Sequence, residues 1–324
     1  MAFLLPAAWD YADYARSLRI ALPSAFREFH VHRSSEPLFQ SVRDGCVIVV
    51  GIGYREPHLS STRIEHASAV HLEQSLGQTG RPIQPVRTGA AGGTVQLGEV
   101  ADIRLGGVTG DANYFLFSDQ KRSTLGIPTR ACTPVLSRAS HLIAGAIGRR
   151  EWERLREAGE RVWLFRPNKA VLADPAVQAY MRLDREDGGC NRSAYKVLSR
   201  SVWYTTPLPA RVDGFISGMG IQGPWISLRL MRGLTATNTL YVLSFKQRLS
   251  LDTRAAWASA FLSPEVREEL RGLGRVYPDG LVKYEPGDLL RVRLPYPCFR
   301  SGAMQRYKAL VASFLVGSKS PAET

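Results

Sequence analysis

Cys46-Val47-Ile48-Val49-Val50 is an apolar run without polar alternation. A strand with one wet face alternates polar and apolar side chains. This run therefore predicts a strand covered on both faces, as in an α/β sheet. Phe3-Leu4-Leu5 reads as a second, short buried strand. Between them, Asp10 is placed to cap a helix that carries Tyr11, Tyr14, Ala15, Leu18 and Leu22 on one face and ends at Pro23. Phe29 and Val31 fall on a further strand. Strand, helix, strand, strand in this order is the edge of an open α/β sheet.

Residues 55 to 95 are polar, and Gly89 to Gly93 read as flexible. Leu97 to Arg104 leads into the glycine turn Gly106-Gly107-Val108-Thr109-Gly110, which should join two short strands, the second at Tyr114 to Phe117. Beyond it the pattern is α+β. Arg149 to Ala158 is a charged helix stopped by Gly159, and Arg161 to Phe165 is a strand. Strands follow at Trp225 to Leu230 and Thr239 to Phe245. Asp252 is placed to cap a helix bearing Trp257, Phe261 and Leu262. Ser263-Pro264 ends it and opens another with Val266, Leu270 and Leu273 inward. The expected organisation is an α/β region over 1–115, an α+β domain over 116–300, and a tail over 301–324 that frays after Gly317.

The charge is one-sided. The chain has 324 residues, 44% of them hydrophobic, and a net charge of +13. That composition supports a folded core and calls for a polyanionic partner, with nucleic acid before an anionic membrane surface. Between Gly188 and Leu251 the only acid is Asp213. The same stretch holds Arg192, Lys196, Arg200, Arg211, Arg229, Arg232, Lys246 and Arg248, interleaved with aromatic residues that include Trp203 and Tyr204. Cationic side chains neutralise phosphates, while rings and an amide such as Asn238 can meet bases. Each aromatic taken singly fits a core position as well. The stretch as a whole reads as a DNA-binding surface, because a merely solvated face mixes both signs.

Several functions find no support. No apolar run approaches the roughly 18 residues of a membrane span. The N-terminus, interrupted by Pro6 and lacking a basic segment, is a poor signal peptide. Cys46, Cys132, Cys190 and Cys298 are scattered and suit thiols in a reducing cytoplasm. Gly51-Ile52-Gly53 follows a strand, yet Glu56-Pro57-His58 does not open the helix that a nucleotide loop needs. His30 and His32 project alike from a strand, but no third ligand lies nearby in sequence, so no metal is expected. No self-contained set of catalytic residues emerges.

The order of several segments resembles gamma-class adenine-specific (N6) DNA methyltransferases of restriction-modification systems. Phe3-Leu4-Leu5-Pro6-Ala7-Ala8-Trp9 is similar to the strand and turn that follow that family's catalytic motif. Leu38-Phe39 and Cys46 to Val50 continue the likeness. Gly107-Val108-Thr109-Gly110-Asp111-Ala112-Asn113-Tyr114-Phe115 looks like its junction between catalytic and target-recognition regions. Thr133 to Arg138, Arg200-Ser201-Val202-Trp203-Tyr204 and Ala236 to Leu240 resemble blocks of the recognition domain. Phe261-Leu262-Ser263 through Lys283, with Leu294-Pro295, resembles its closing helices.

The resemblance implies a truncated Rossmann-like sheet followed by a mixed target-recognition domain. Together with the charge pattern it points to Arg192, Lys196, Arg200, Trp203, Tyr204, Arg229, Arg232, Asn238, Lys246 and Arg248 as contacts to double-stranded DNA. Gly107, Thr109, Gly110, Asn113 and Phe115 would form the junction and base-pocket loop. A complete enzyme of this family also holds S-adenosylmethionine on a glycine-rich turn and presents an Asn/Asp-Pro-Pro-Tyr/Phe motif to a flipped adenine. The sequence contains no Pro-Pro pair, and Leu105 stands where an aromatic residue is expected. The resemblance thus implies a second polypeptide with the missing half, a truncated gene product, or a non-catalytic module like a restriction specificity subunit.

The isolated chain should not methylate DNA, since positioning and proton-accepting groups are missing together. Incubation with labelled S-adenosylmethionine and mixed-sequence duplex checks this. Sustained methyl transfer by the pure chain would refute it.

Overall fold

The computed structural model describes residues 1–6, 9, 15–34, 46–66, 72, 93–221, 223–271, 273–277 and 281–316. The fold is mixed α/β, built from several small open sheets. The chain divides into two compact units, 1–89 with 272–283, and 90–271 with 284–324. Residues 90–115, grouped above with the first region, thus fall in the second unit.

The first unit opens with β1 (Ala2–Pro6), α1 (Arg16–Ser24), β2 (Phe26–Ser34), β3 (Cys46–Tyr54) and β4 (Ser60–His66). They form a four-stranded sheet in the order β1-β3-β2-β4. Strand β3 runs antiparallel to both β1 and β2, and β4 runs parallel to β2. Strands β1 and β2, on either side of β3, are therefore parallel to each other, with α1 in the connection. Trp9, Ala15, Phe26, Phe29, Val31, Val47 and Val49 make the core here.

Three burial expectations need correcting. Strand β1 is at the sheet edge among the described residues, and Phe3 and Leu4 are 51% and 49% exposed. Adjacent strand residues point to opposite faces, so β1 is open on both faces at Phe3 and Leu4, while Leu5 packs on the core. In β3, Val47 and Val49 are buried but Ile48 and Val50 only partly so. Covering is complete on one face only. On α1, Ala15 at its start is buried, whereas Leu18 is exposed. Asp10, Tyr11, Tyr14, Leu38, Phe39 and Gly89 to Gly92 lie outside the described residues. Strand β4 went unread because Ser60-Ser61-Thr62-Arg63 lacks apolar alternation; pairing with β2 forms it instead.

A polar column crosses this sheet. His32 and His66 are buried, stack nearly parallel, and share a hydrogen bond of 3.0 Å between Nδ1 and Nε2. His30 bonds Thr62 at 2.5 Å and has Glu28 at 3.6 Å. His66 is thus the neighbour that sequence spacing did not supply. Among the described residues, no group of three potential ligands is placed to hold a metal.

The second unit begins with β5 (Thr94–Gln96), α2 (Leu97–Val100), β6 (Ala101–Leu105), α3 (Ala112–Phe115), β7 (Leu116–Phe117) and α4 (Asp119–Thr124). Next come β8 (Cys132–Leu136), β9 (Ala146–Ile147), α5 (Arg149–Glu157), β10 (Trp163–Phe165), α6 (Pro175–Arg182) and α7 (Tyr195–Leu198). Strands β11 (Gly214–Ser217), β12 (Met219–Gly220), β13 (Ile226–Arg229), β14 (Thr235–Ala236) and β15 (Leu240–Phe245) precede α8 (Leu251–Phe261) and α9 (Pro264–Arg271). The short strands β16 (Arg275–Val276) and β17 (Val282–Lys283) pair antiparallel in the first unit. The chain then forms α10 (Pro286–Arg291), β18 (Arg293–Pro295) and α11 (Ala303–Val316).

A five-stranded sheet runs β6-β15-β11-β13-β9, and a four-stranded one runs β14-β8-β10-β7. Their shared core gathers Phe115, Phe117, Trp152, Phe165, Tyr180, Phe215 and Val242. Three local expectations change. Tyr114 and Phe115 lie in the single turn α3, because the Asp111 side chain caps it by accepting the Tyr114 amide. Ser250, not Asp252, caps α8. Asp252 instead accepts the amides of Gly302 and Met304 at 3.1 and 2.9 Å, at the start of α11. The segment expected to be a tail is therefore a packed helix up to Val316, with Met304, Tyr307 and Val311 buried and the Tyr307 hydroxyl bonded to the Ile226 carbonyl. Residues from Gly317 onward lie outside the described residues.

Burial, reinforced by His66 and then His30, pushes His32 down from 6.5 to about 4. The unfolded chain then binds more protons than the folded one between these values. Stability of the first unit should be full above about pH 6.5, fall as pH drops toward 4, and lose on the order of 3 kcal/mol. Titration of the histidine ring protons by NMR checks this. An ordinary midpoint near 6.5 for His32 would contradict it.

Candidate nucleic-acid interface

The glycine turn after β6 is knitted into the second unit by its backbone. The Gly106 amide donates to Leu240 at 3.0 Å and the Gly107 amide to Ala236 at 2.8 Å. The Gly107 carbonyl accepts the Asn238 amide at 3.1 Å. A β-carbon at Gly106 would come within 2.3 Å of the Thr237 carbonyl oxygen, so no side chain fits. Gly110 has φ +72°, where glycine alone avoids strain. Thr109 is buried between these points. The Asp111 carboxylate reaches out of the turn and accepts the Asn191 amide at 2.9 Å.

Arg200 closes the arrangement from the other side. It donates to the Val108 and Thr109 carbonyls at 2.7 and 2.6 Å, and to the Trp203 carbonyl at 3.0 Å. Its guanidinium lies 5.1 Å from the centre of the fully buried Phe115 ring. Burial lowers its pKa from the ordinary value, yet arginine stays charged at any working pH. Arg200 is thus committed to three carbonyls rather than held out to solvent. Trp203 and Tyr204 are half-buried and meet edge to face at 5.7 Å.

Around this clamp the chain turns other groups outward. Arg192 is exposed, lies over the Trp203 ring at 4.3 Å, and donates to the Met181 carbonyl. Lys196 is exposed on α7 beside Gly110. Asn238 is exposed, with its backbone held by Gly107. Asn113 is exposed as well, and its side-chain oxygen accepts from Arg161 at 3.1 Å. The structure thus brings together Gly107, Thr109, Gly110, Phe115, Arg192, Lys196, Arg200, Trp203 and Asn238.

Arg229 lies beside Asp213, and Arg232, Lys246 and Arg248 follow the strands β13 and β15 that bond to Asp213. Arg229 is partly buried and donates Nε to the Val212 carbonyl at 2.6 Å. Arg232 is exposed just after β13. Lys246 and Arg248 are exposed after β15, where the Lys246 amide donates to Val100 at 2.9 Å. Sequence reading left Arg211 and Arg254 out of the site, although both contact the Asp213 carboxylate. The pattern Arg-x-Asp at 211–213 was a usable signal for the first. Arg254 lies on α8, beyond the basic stretch, and carried none.

Gly51 and Gly53 belong to β3, and Phe26 ring atoms lie 2.8 Å from where a Gly51 β-carbon would stand. That backbone is covered by a ring and continues into a turn and β4, so it does not fit a cofactor-cradling loop.

Residues 83–314 match the family described as type II methyltransferase M.Eco57I, C-terminal domain. The chain belongs to that family, whose match spans most of its length. It is also similar to two solved structures. One is the type IIL restriction-modification enzyme MmeI in complex with DNA, at 12% identity and a TM-score of 0.46, covering 99% of this chain and 42% of that one. The other is the type IIG restriction endonuclease BpuSI, at 12% identity and a TM-score of 0.42, covering 96% and 42%. The chain thus spans about two fifths of the length of those enzymes. Among the described residues, no helix is long and apolar enough to cross a membrane.

Replacing Arg200 by alanine leaves the Val108 and Thr109 carbonyls without their donor. Charge-assisted hydrogen bonds of this kind are worth about 1.5–3 kcal/mol each, and unpaired buried groups add cost. Arg200→Ala should destabilise the second unit by about 3 kcal/mol in urea unfolding followed by tryptophan fluorescence. Arg200→Lys should recover less than half, since an ammonium lacks the planar fork. A loss under about 0.5 kcal/mol for the alanine variant would refute the clamp.

Proposed function

We propose that this chain is the DNA target-recognition part of an adenine-specific (N6) DNA methyltransferase of a restriction-modification system. Its target is double-stranded DNA. Membership of the M.Eco57I C-terminal family carries the reading. The charge distribution supports it: net +13, with one acid between Gly188 and Leu251. So does the exposure of Arg192, Lys196, Arg232, Lys246 and Arg248, five cations turned to water. Asn238 adds an amide able to read a base edge. Arg200 and Arg229 serve in this reading to hold the surface rather than to touch phosphate.

In the same proposal the first unit is the end of a Rossmann-like sheet. The β1–α1–β2 crossover, with β3 inserted antiparallel between the two parallel strands, supports this. A partner polypeptide supplies the S-adenosylmethionine site and the Asn/Asp-Pro-Pro-Tyr/Phe motif. The exposed Phe3 and Leu4 on an edge strand are the kind of surface that such a partner covers. The closed backbone at Gly51 argues that the cofactor turn belongs elsewhere.

Each phosphate neutralised on duplex DNA contributes about −0.9 to the slope of log K against log salt. Five exposed cations predict a slope of roughly −4 to −5. Fluorescence anisotropy with mixed-sequence duplex from about 50 to 300 mM salt measures it. No binding at low salt, or binding to anionic vesicles that DNA does not displace, would overturn the reading.

A further inference from the structure

The single acid of the basic stretch sits where arginines from a loop, a strand end and a helix converge. Asp213 is buried. Its Oδ1 lies 2.9 Å from Arg254 Nη1 on α8. Its Oδ2 accepts the Phe245 amide at 2.9 Å and lies 3.4 Å from Arg211 Nε. Arg229 is tied to the same backbone: its amide donates to the Asp213 carbonyl at 2.9 Å and its Nε to the Val212 carbonyl. Arg232 follows in the next turn, exposed. Arg211 also donates to the Gln247 carbonyl at 2.7 Å, which draws in the segment carrying exposed Lys246 and Arg248.

One carboxylate cannot balance this set. Burial lowers the Arg229 pKa, Asp213 works to raise it, and Arg254 and Arg232 lower it further. The guanidiniums therefore repel one another across a centre whose single negative charge has both oxygens engaged. A purely structural ion pair would need one arginine. Here Arg211 and Arg254 both reach one acid, with Arg229 beside it and Arg232 close enough to be felt by Arg229, and the side chains of Arg211 and Arg232 reach solvent.

The geometry points to a binding site for one phosphate group, met by Arg211 and Arg232, with Asp213 and Arg254 as positioning residues. This rests on the DNA reading above, under which the ligand is a phosphodiester of the duplex backbone. The anion supplies the countercharge the cluster lacks. The planar fork of arginine matches its oxygens in pairs. Lys246 and Arg248 extend the same positive surface along the strand.

The test uses the full chain. Arg211→Gln/Arg232→Gln should flatten the salt slope for mixed-sequence duplex by about 1, the loss of one phosphate contact. Arg149→Gln, an exposed change on α5, should leave the slope unaltered. A second arm uses sulfate without DNA. Thermal melting in sodium sulfate, against sodium chloride at matched ionic strength, should show a gain for the wild type that shrinks in the double variant. If the double variant does not fold, Arg232→Gln alone is read the same way. An unchanged slope in a folded variant that still binds DNA overturns the site and leaves the DNA reading standing. A wild type that ignores DNA overturns that reading, and the site is then decided by the sulfate arm, where an equal gain in both proteins overturns it.

Discussion

The second unit depends on one partly buried charge satisfied by carbonyls. Arg200 reaches the carbonyls of Val108, Thr109 and Trp203. A charged group taken out of water must recover its lost hydration through such contacts. Placing it there forces the glycine turn and the 195–204 segment together. Gly106 then has to pass against Thr237, and Gly110 has to take a left-handed conformation. That turn holds the Asn238 backbone through Gly107 and the Asn191 amide beside Arg192 through Asp111, and it packs Gly110 against Lys196; the side chains of Arg192, Lys196 and Asn238 are exposed.

Asp213 organises the other half of the basic stretch by the opposite arrangement, a buried anion among cations. Its oxygens hold the Phe245 amide and Arg254, with Arg211 close by. A carboxylate in a basic stretch looks at first like a stray charge on a DNA-facing surface. Buried, it gathers arginines from a loop, a strand end and a helix into one patch. The two centres thus divide the labour: Arg200 fastens the turn, and Asp213 shapes the positive surface.

Much of the local structure was legible in the residues. The charged helix ending before Gly159, the strands at 226–229 and 240–245, and the break at Pro264 appear where side-chain period and backbone chemistry place them. The glycine turn was legible too, since few other residues tolerate its geometry. Strand β4 was not, because its polar residues form a strand only when β2 is there to pair with. Neither was the cap of α11, because Asp252 acts on residues 50 and 52 positions away. The exposure of Phe3 and Leu4 also escaped. Apolar character states what a side chain prefers, and burial depends on what lies over it.

The sequence by itself determined the sign and place of the charge, the periods of the longer elements, and the turn that only glycine can make. These are properties of residues and their near neighbours. Tertiary structure decided which cations remain available. Arg192 and Arg200 are eight positions apart and chemically identical, yet one stays exposed with a single carbonyl bond and the other is drawn in by three carbonyls. The difference lies in partners brought from residues 108 and 109, distant in sequence. An arginine can meet a phosphate only where the fold leaves part of its guanidinium open to solvent.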